Sequence, residues 1–522
     1  MKIKNIILAV FAGVLALTSC NQSLLDIPQK GVLNYETYYS TDEEILTASA
    51  AMYLEVRGWE YNVLLCKAML TDDFYAGGAQ RGDNANLQML NEFTFDAEED
   101  YVEAMFKTYY TLIYKANVIL GHIDEEFSQT AKMARAEAKV FRAFAYFELI
   151  SMWGNPPLVD HELLPSEYSR PNGTTEELWA LVEKDLTEAI ASGALPEKSG
   201  LNDNTTWRVT KQFAQALLGK AYLWQGKNKE AAEAFDEVVK SGKYALFTAD
   251  EYGEILRVKN KFNTESLFES NRIHDDNNSG QNFSMYALMT NWRMDKLDWP
   301  ADCPIMATGW GFRVPTQDLY DEFVRIEGKD GYRLNQTMKT YEQIKNEMGV
   351  VVKAGGSVQS DGYFCWKQRI VKEDRGSGNS VSDWAYEANT MWMRYAEVLL
   401  CGAEAHLAAG NAGKAAEYVN LVRARAKLAP LASVTLEDIK TEKRLELVGE
   451  GQRFQDLVRW GDAEKKMKDN GTHYPTLYAN GKVEYTPCNH PTHGFKTGKH
   501  ERLPYPATEM RLNSEIVQNP GY

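Results

Sequence analysis

The stretch from Lys211 to Lys240, KQFAQALLGKAYLWQGKNKEAAEAFDEVVK, reads as a helix, a four-residue turn and a second helix. Leu218, Gly219 and Tyr222 fall at an L-G-x2-Y spacing in the first helix, and Ala231 and Phe235 at an A-x3-F spacing in the second. Small residues at Gly219 and Ala231 let two antiparallel helices approach closely, while Leu218, Tyr222 and Phe235 fill the groove between them. Such a hairpin buries one face only. It needs stacked neighbours, and that need constrains everything around it.

These spacings are those of a tetratricopeptide repeat, with Gln215 where Trp usually stands. Apolar residues keep helical spacing from Tyr101 to Ile123 and from Ala131 to Trp153, which suits a second hairpin; Asn389 to Ala409 and Ala412 to Ala429 give a weaker third. Thr41 or Asp42 caps a helix carrying Ile45, Ala48 and Met52, and a separate helix is expected from Trp59 to Leu70. Further helices are predicted over Thr175 to Ala191, Thr435 to Val448 and Arg453 to Trp460. The fold class is therefore mainly α. Between Lys261 and Tyr386 the helical pattern breaks; Glu265 to Ile273 and Tyr363 to Ile370 read as strands, and the rest is loop-rich. Irregular chain of that length inside a globular protein is usually functional. No Pro/Gly/Ser linker divides the 522 residues, so one large or two interlocked domains are expected.

The chain begins with Lys2 and Lys4 ahead of an apolar run from Ile6 to Leu17, too short for a membrane span and suited to an export signal. It ends in Leu17-Thr18-Ser19-Cys20, like a bacterial lipobox, which makes Cys20 the expected lipidation site and first mature residue. More than one acyl chain there would anchor the protein stably, each buried CH2 contributing about 0.8 kcal/mol. Five other cysteines, widely spaced and odd in number, do not form a disulfide framework, and Cys401 suits a buried position. A net charge of −16 repels phosphate backbones and argues against nucleic acid as a partner. The 28 Tyr and 12 Trp are rich, and surplus rings need a core or a binding surface.

Three clusters have the residue types for chemistry. Glu442, Glu446 and Glu450 recur every fourth residue and, with Asp456, could supply a glycosidase acid and base; the favoured reading is an ion-pair network with Arg444, Arg453, Asp456 and Arg459. Cys488, His490 and His493, with His500 nearby, could hold zinc but lack a second ligand pair at distance. Asp275, Asn277, Ser279 and Gly280 begin like a calcium loop, yet Tyr286 stands where a bidentate Glu belongs. No metal and no cofactor is expected. Phosphate loops and nucleophile elbows are absent from the sequence, which favours binding over catalysis.

Four segments in order resemble the SusD/RagB family of outer-membrane nutrient-binding lipoproteins: the lipobox followed by LLDIPQKG, FRAFAYFELISMWGNPPLV, EKRLELVGEGQRFQDLVRWG and the ending LPYPATEMRLNSEIVQNPGY. The resemblance implies tetratricopeptide-like helix pairs around an irregular lobe. It divides the chain into a signal peptide (1–19), a lipidated tether (20–35), an N-terminal helical region (36–260) and a C-terminal region (261–522) with a ligand lobe (261–386) and helices (389–460). It implies a non-enzymatic protein on the outer face of the outer membrane, held there by lipid alone, that passes oligosaccharide to a SusC-like TonB-dependent β-barrel transporter. Family members bind sugar on an arc of aromatic rings. The candidates here are Phe74, Tyr75, Trp292, Trp299 and Trp310, with Arg81, Asp83 and Asn84 as polar partners. The alternatives are an α-helical glycoside hydrolase using Glu446, Glu450 and Asp456, and a periplasmic repeat scaffold that binds other proteins.

Overall fold

A computed structural model describes residues 39–273, 284–375 and 386–522. The export signal, Cys20, LLDIPQKG and the calcium-like Asp275 to Gly280 stretch lie outside the described residues.

Among the described residues the scaffold is carried by the helices α1 (Asp42–Trp59), α2 (Asp100–His122), α3 (Gln129–Trp153), α4 (Thr175–Ala191), α5 (Lys211–Trp224), α6 (Asn228–Lys240), α7 (Tyr395–Ala408), α8 (Ala412–Arg425), α9 (Leu436–Glu446) and α10 (Arg453–Trp460). Their starts follow local chemistry. Thr41, Ser128, Thr174, Thr210 and Thr435 each accept a first-turn N–H, and Thr41 with Glu44 completes a capping box. From α2 to α8, each helix packs on the next. The α5–α6 hairpin needs its glycine: a Cβ on Gly219 would lie 2.9 Å from the Phe235 ring. Phe235 is wedged from the other side too, its Cβ lying 3.3 Å from the position of a Cβ on Gly402 in α7.

Helices α6 and α7 pack directly although about 150 residues separate them, so the loop-rich lobe is an insertion between neighbouring repeats. Its two ends are clamped where β2 (Ser266–Ser270) pairs antiparallel with β9 (Thr390–Arg394). The remaining strands make small antiparallel sheets. β1 (Phe74–Gly77) pairs with β4 (Phe312–Pro315), β3 (Leu297–Asp298) with β6 (Val351–Val352), and β5 (Met338–Thr340) with β8 (Tyr363–Cys365). β10 (His473–Leu477) lies between β7 (Ser357–Val358) and β11 (Val483–Pro487). One core runs through the scaffold; a smaller one inside the lobe is built on Trp292, Leu297, Ile344, Phe364 and Leu477.

Several expectations change. The two helices expected between Thr41 and Leu70 are one unbroken run, in which α1 passes through a π-helical segment (Glu60–Leu65) into Cys66–Met69. Asn389 to Arg394 is not helical, because β9 occupies Thr390–Arg394 before α7 starts. The strand expected over Glu265 to Ile273 is buried at every position of β2, since the scaffold covers both faces. The loop after Thr71 holds β1 and a helix, Ala85–Glu92, and the coil-like tail holds the β10–β11 hairpin.

Candidate functional site

The β1–β4 register sets Phe74 opposite Pro315 and Gly77 opposite Phe312, which brings the first loop onto the lobe. Only glycine permits the approach: Gly77 has φ +83°, and a Cβ there would lie 2.2 Å from the Gly311 carbonyl oxygen. Phe74 is buried, with the Arg313 guanidinium 5.4 Å above its ring, so it supports the loop from beneath. Tyr75 is half-buried and lines an open cleft with Asp318, Asn470 and His473. Burial, then the Asp361 carboxylate beside it, pushes the Tyr75 phenol well up.

The polar candidates divide. Arg81 is engaged by Glu92 at 2.6 Å and lies 5.2 Å over the Tyr474 ring, so it braces the first loop against β10. Asn84 caps Ala85–Glu92 by accepting from the Leu87 N–H at 3.0 Å, and its amide donates to the Tyr101 hydroxyl at 2.8 Å. Asp83 remains exposed; it accepts from the Ala79 N–H at 2.8 Å and faces an Arg293 guanidinium nitrogen at 3.4 Å.

The three indoles divide as well. Trp292 is buried, donating its N–H to the Cys365 carbonyl at 3.0 Å, with Phe364 at 5.1 Å on its edge. It is a core residue of the lobe. Trp299 stacks over it at 6.1 Å and 26° and stays half-buried, a platform whose inner face is covered by a fixed ring. Trp310 is also half-buried, and its carbonyl accepts from Arg293 Nη1 at 2.8 Å. Arg293, which also pairs with Asp295, therefore joins the Trp310 backbone to Asp83 and is a candidate that sequence reasoning missed. Its adjacency to Trp292 was visible; its partner Asp83, 210 residues away, was not.

The carboxylate series is structural. Glu446 is fully buried between Arg394, at 2.6 Å, Arg425 and Arg333. Burial alone would raise its pKa, but those three guanidiniums outweigh it and hold the carboxyl well below the usual carboxylate range. Glu450, reached by a turn beyond α9, is likewise lowered by Arg394 and Lys367 against the effect of burial, and Asp456 by Lys443 and Arg459. A general acid needs the opposite shift. The partners differ from those expected: Arg444 and Arg453 bind Asp72, not the glutamates, and Arg444 also holds Asp73. Arg333 and Arg394 come from the inserted lobe, so the network fastens it to α8 and α9.

The described residues contain no cluster of His, Cys, Asp and Glu able to hold a metal ion. His490 folds onto the Thr492 backbone, and His500 is buried among Phe93, Phe95, Phe495 and Tyr522. Among the described residues no helix is long and apolar enough to cross a membrane.

The structure is thus a stack of helical hairpins with an inserted lobe that carries half-buried indoles, among them Trp299 and Trp310, and an arginine, Arg293, facing Asp83 of the first loop. Comparison with known proteins identifies the family. Residues 264–522 match the model of the SusD family, and residues 41–223 match that described as "Starch-binding associating with outer membrane". A solved laminarin binding SusD-like protein is 30% identical, with TM-score 0.77, covering 93% of this chain and 100% of that one. Surface glycan-binding protein A from Bacteroides fluxus is 26% identical, with TM-score 0.74 and coverage of 92% and 100%. A SusD-like protein of Bacteroides ovatus is 25% identical over 88% of this chain and 83% of its own length. The chain belongs to the SusD family of outer-membrane-associated glycan-binding proteins, which are not enzymes.

Proposed function

We propose that this protein is a lipoprotein on the outer face of the outer membrane, anchored through Cys20, that binds oligosaccharide at Trp299 and Trp310 and delivers it to a SusC-like TonB-dependent transporter. The observation that carries the site is that Arg293, bonded to the backbone carbonyl of Trp310, faces the exposed Asp83 across the first loop, while Trp299 stays half-buried over Trp292 on the same lobe. The apolar C–H face of a pyranose stacks on an indole, while its hydroxyls take hydrogen bonds from a guanidinium and give them to a carboxylate. Phe74 and Trp292 act beneath the surface, and Arg81 and Asn84 hold the first loop in place. Laminarin is the first probe, because the name of a relative 30% identical over nearly the whole chain carries that ligand.

Calorimetry against laminarin and starch oligosaccharides tests this reading. Each of Trp299→Ala and Trp310→Ala is expected to weaken binding about twofold to tenfold, the worth of one aromatic contact. An unchanged affinity in the double variant would refute the site. Absence of binding across a broad glycan panel would refute the function. On cells, Cys20→Ala should abolish palmitate incorporation and release the protein from the membrane fraction.

A further inference from the structure

The lobe is not the only place where rings meet the rim. We propose that Tyr61 and Tyr101, supported by Asn84, form a second carbohydrate subsite on the helical scaffold, which takes the continuing part of an oligosaccharide already held at Trp310; this rests on the glycan-binding reading above.

The first observation is the backbone. α1 does not end at Trp59 but opens into the π-helical segment Glu60–Leu65, a rare conformation that often marks functional positions. Glu60, Val63, Leu64 and Leu65 of that segment are buried, and Tyr61 and Asn62 are left at the surface, half-buried. Tyr101, at the start of α2, meets Tyr61 edge to face, with ring centres 5.7 Å apart at 73°.

The second observation is the hydrogen bonding. The Tyr61 and Tyr101 hydroxyls lie 2.6 Å apart, and the Asn84 amide donates to the Tyr101 oxygen at 2.8 Å. The two phenols share one hydrogen bond between them. Whichever donates, one phenolic proton has no acceptor among the described residues. Four tyrosines serving the core are arranged differently: the hydroxyls of Tyr53, Tyr109, Tyr252 and Tyr418 each end on a carboxylate or carbonyl, of Glu137, Glu148, Glu446 and Asp236 respectively. A half-buried pair with a spare O–H and an open ring edge suits a neutral polyol, whose hydroxyl accepts that proton while its C–H face lies against a ring.

The third observation is position. Asn84 follows Asp83, which faces the arginine bonded to the Trp310 carbonyl. The short helix Met285–Thr290 packs against the π segment and takes the Trp310 N–H on its Leu288 carbonyl at 2.8 Å. Trp310 and the π segment therefore pack on the same short helix, and Asn84 ties Tyr101 to the loop that carries Asp83, so the proposed continuation of the sugar chain runs from Trp310 toward Tyr61 and Tyr101.

The test is length dependence. Laminari-oligosaccharides of increasing length are titrated calorimetrically into wild type, Tyr61→Phe, Tyr101→Phe, the two Phe changes combined, and Trp310→Ala; malto-oligosaccharides replace them if wild type prefers starch. The subsite requires that the shortest binding oligosaccharides see no difference between wild type and the Phe variants, while longer ones lose about twofold to tenfold when Tyr61→Phe and Tyr101→Phe are combined, the worth of one hydrogen bond, since either phenol alone keeps a free O–H. Phe keeps the ring packing, and an unchanged melting temperature confirms it. Equal affinities of wild type and the combined variant at every length, with Trp310→Ala still weakened, would overturn the subsite and leave the function standing. A loss as large for the shortest sugar as for the longest would also overturn it, because the tyrosines would then be orienting the first loop. If wild type binds neither series, the glycan-binding reading fails and the subsite with it.

Discussion

Glu446→Gln separates a structural carboxylate from a catalytic one. In the folded protein this side chain is wholly buried and meets Arg394, Arg425 and Arg333. Gln removes one negative charge from a dry site in which the three guanidiniums keep Glu265, Glu327, Glu442 and Glu450 as their remaining partners, a broken buried pairing of the kind that costs about 3–5 kcal/mol. Unfolding entropy is about 2.1 cal/mol/K per residue, so roughly 500 residues give about 1 kcal/mol/K and a fall in melting temperature of about 3–5 °C for a cooperative transition. The surface change Glu417→Gln, which breaks an exposed pair with Lys414, should shift it by less than about 1 °C. The pH dependence has a definite sign. Because the folded carboxyl titrates below its ordinary value of 4.5, its stabilisation is complete above that pH and is lost as pH falls further, so the gap between wild type and variant should close in acid. Calorimetric melting from pH 7 to pH 3 measures all of this, and glycan titration at 20 °C should show affinity unchanged. A variant that melts with wild type would refute the network argument. Release of reducing ends by wild type that Glu446→Gln abolishes would establish the hydrolase instead.

Two further outcomes follow from packing and burial. Gly219→Ala should destabilise by about 1–2 kcal/mol, since the added methyl meets the Phe235 ring at 2.9 Å and Phe235 is hemmed in by α7 as well, whereas Gly58→Ala, with open space around it, should stabilise by up to about 1 kcal/mol; equal melting shifts for the two would contradict the close hairpin. His500 is held neutral by burial, then by Lys499 and Lys496, its pKa pushed down to about 3, so the unfolded chain binds a proton there between pH 6.5 and pH 3 that the folded one does not. Stability should fall with pH across that window, and His500→Gln should flatten the fall; an identical pH profile would count against the burial argument.

Much of the scaffold was legible because its signals are local. The α5–α6 hairpin, α4 and α10 appear where periodicity puts them, and the glutamate series is an ion-pair network as expected, although its arginines are not the neighbours in sequence. What could not be seen were pairings across the insertion. Arg394 belongs to a strand, not a helix, because β2 lies beside it, and the guanidiniums that hold Glu446 come from α8 and from two distant points of the lobe. Helix periodicity also hid the π-helical turn, since a short apolar run cannot distinguish one wider turn from a break between two helices.

For the site, the amino-acid sequence by itself determined the inventory: a repeat scaffold, a long insertion and an excess of flat side chains near residues 74 and 290–310. Only the tertiary structure decided which of those rings are open. Trp292 and Trp299 are the same residue type seven positions apart, yet one is capped by Phe364 from β8 and by Trp299 itself, and the other keeps a free face. Exposure depends on which distant segment arrives to cover a ring, and local sequence carries no record of that arrival.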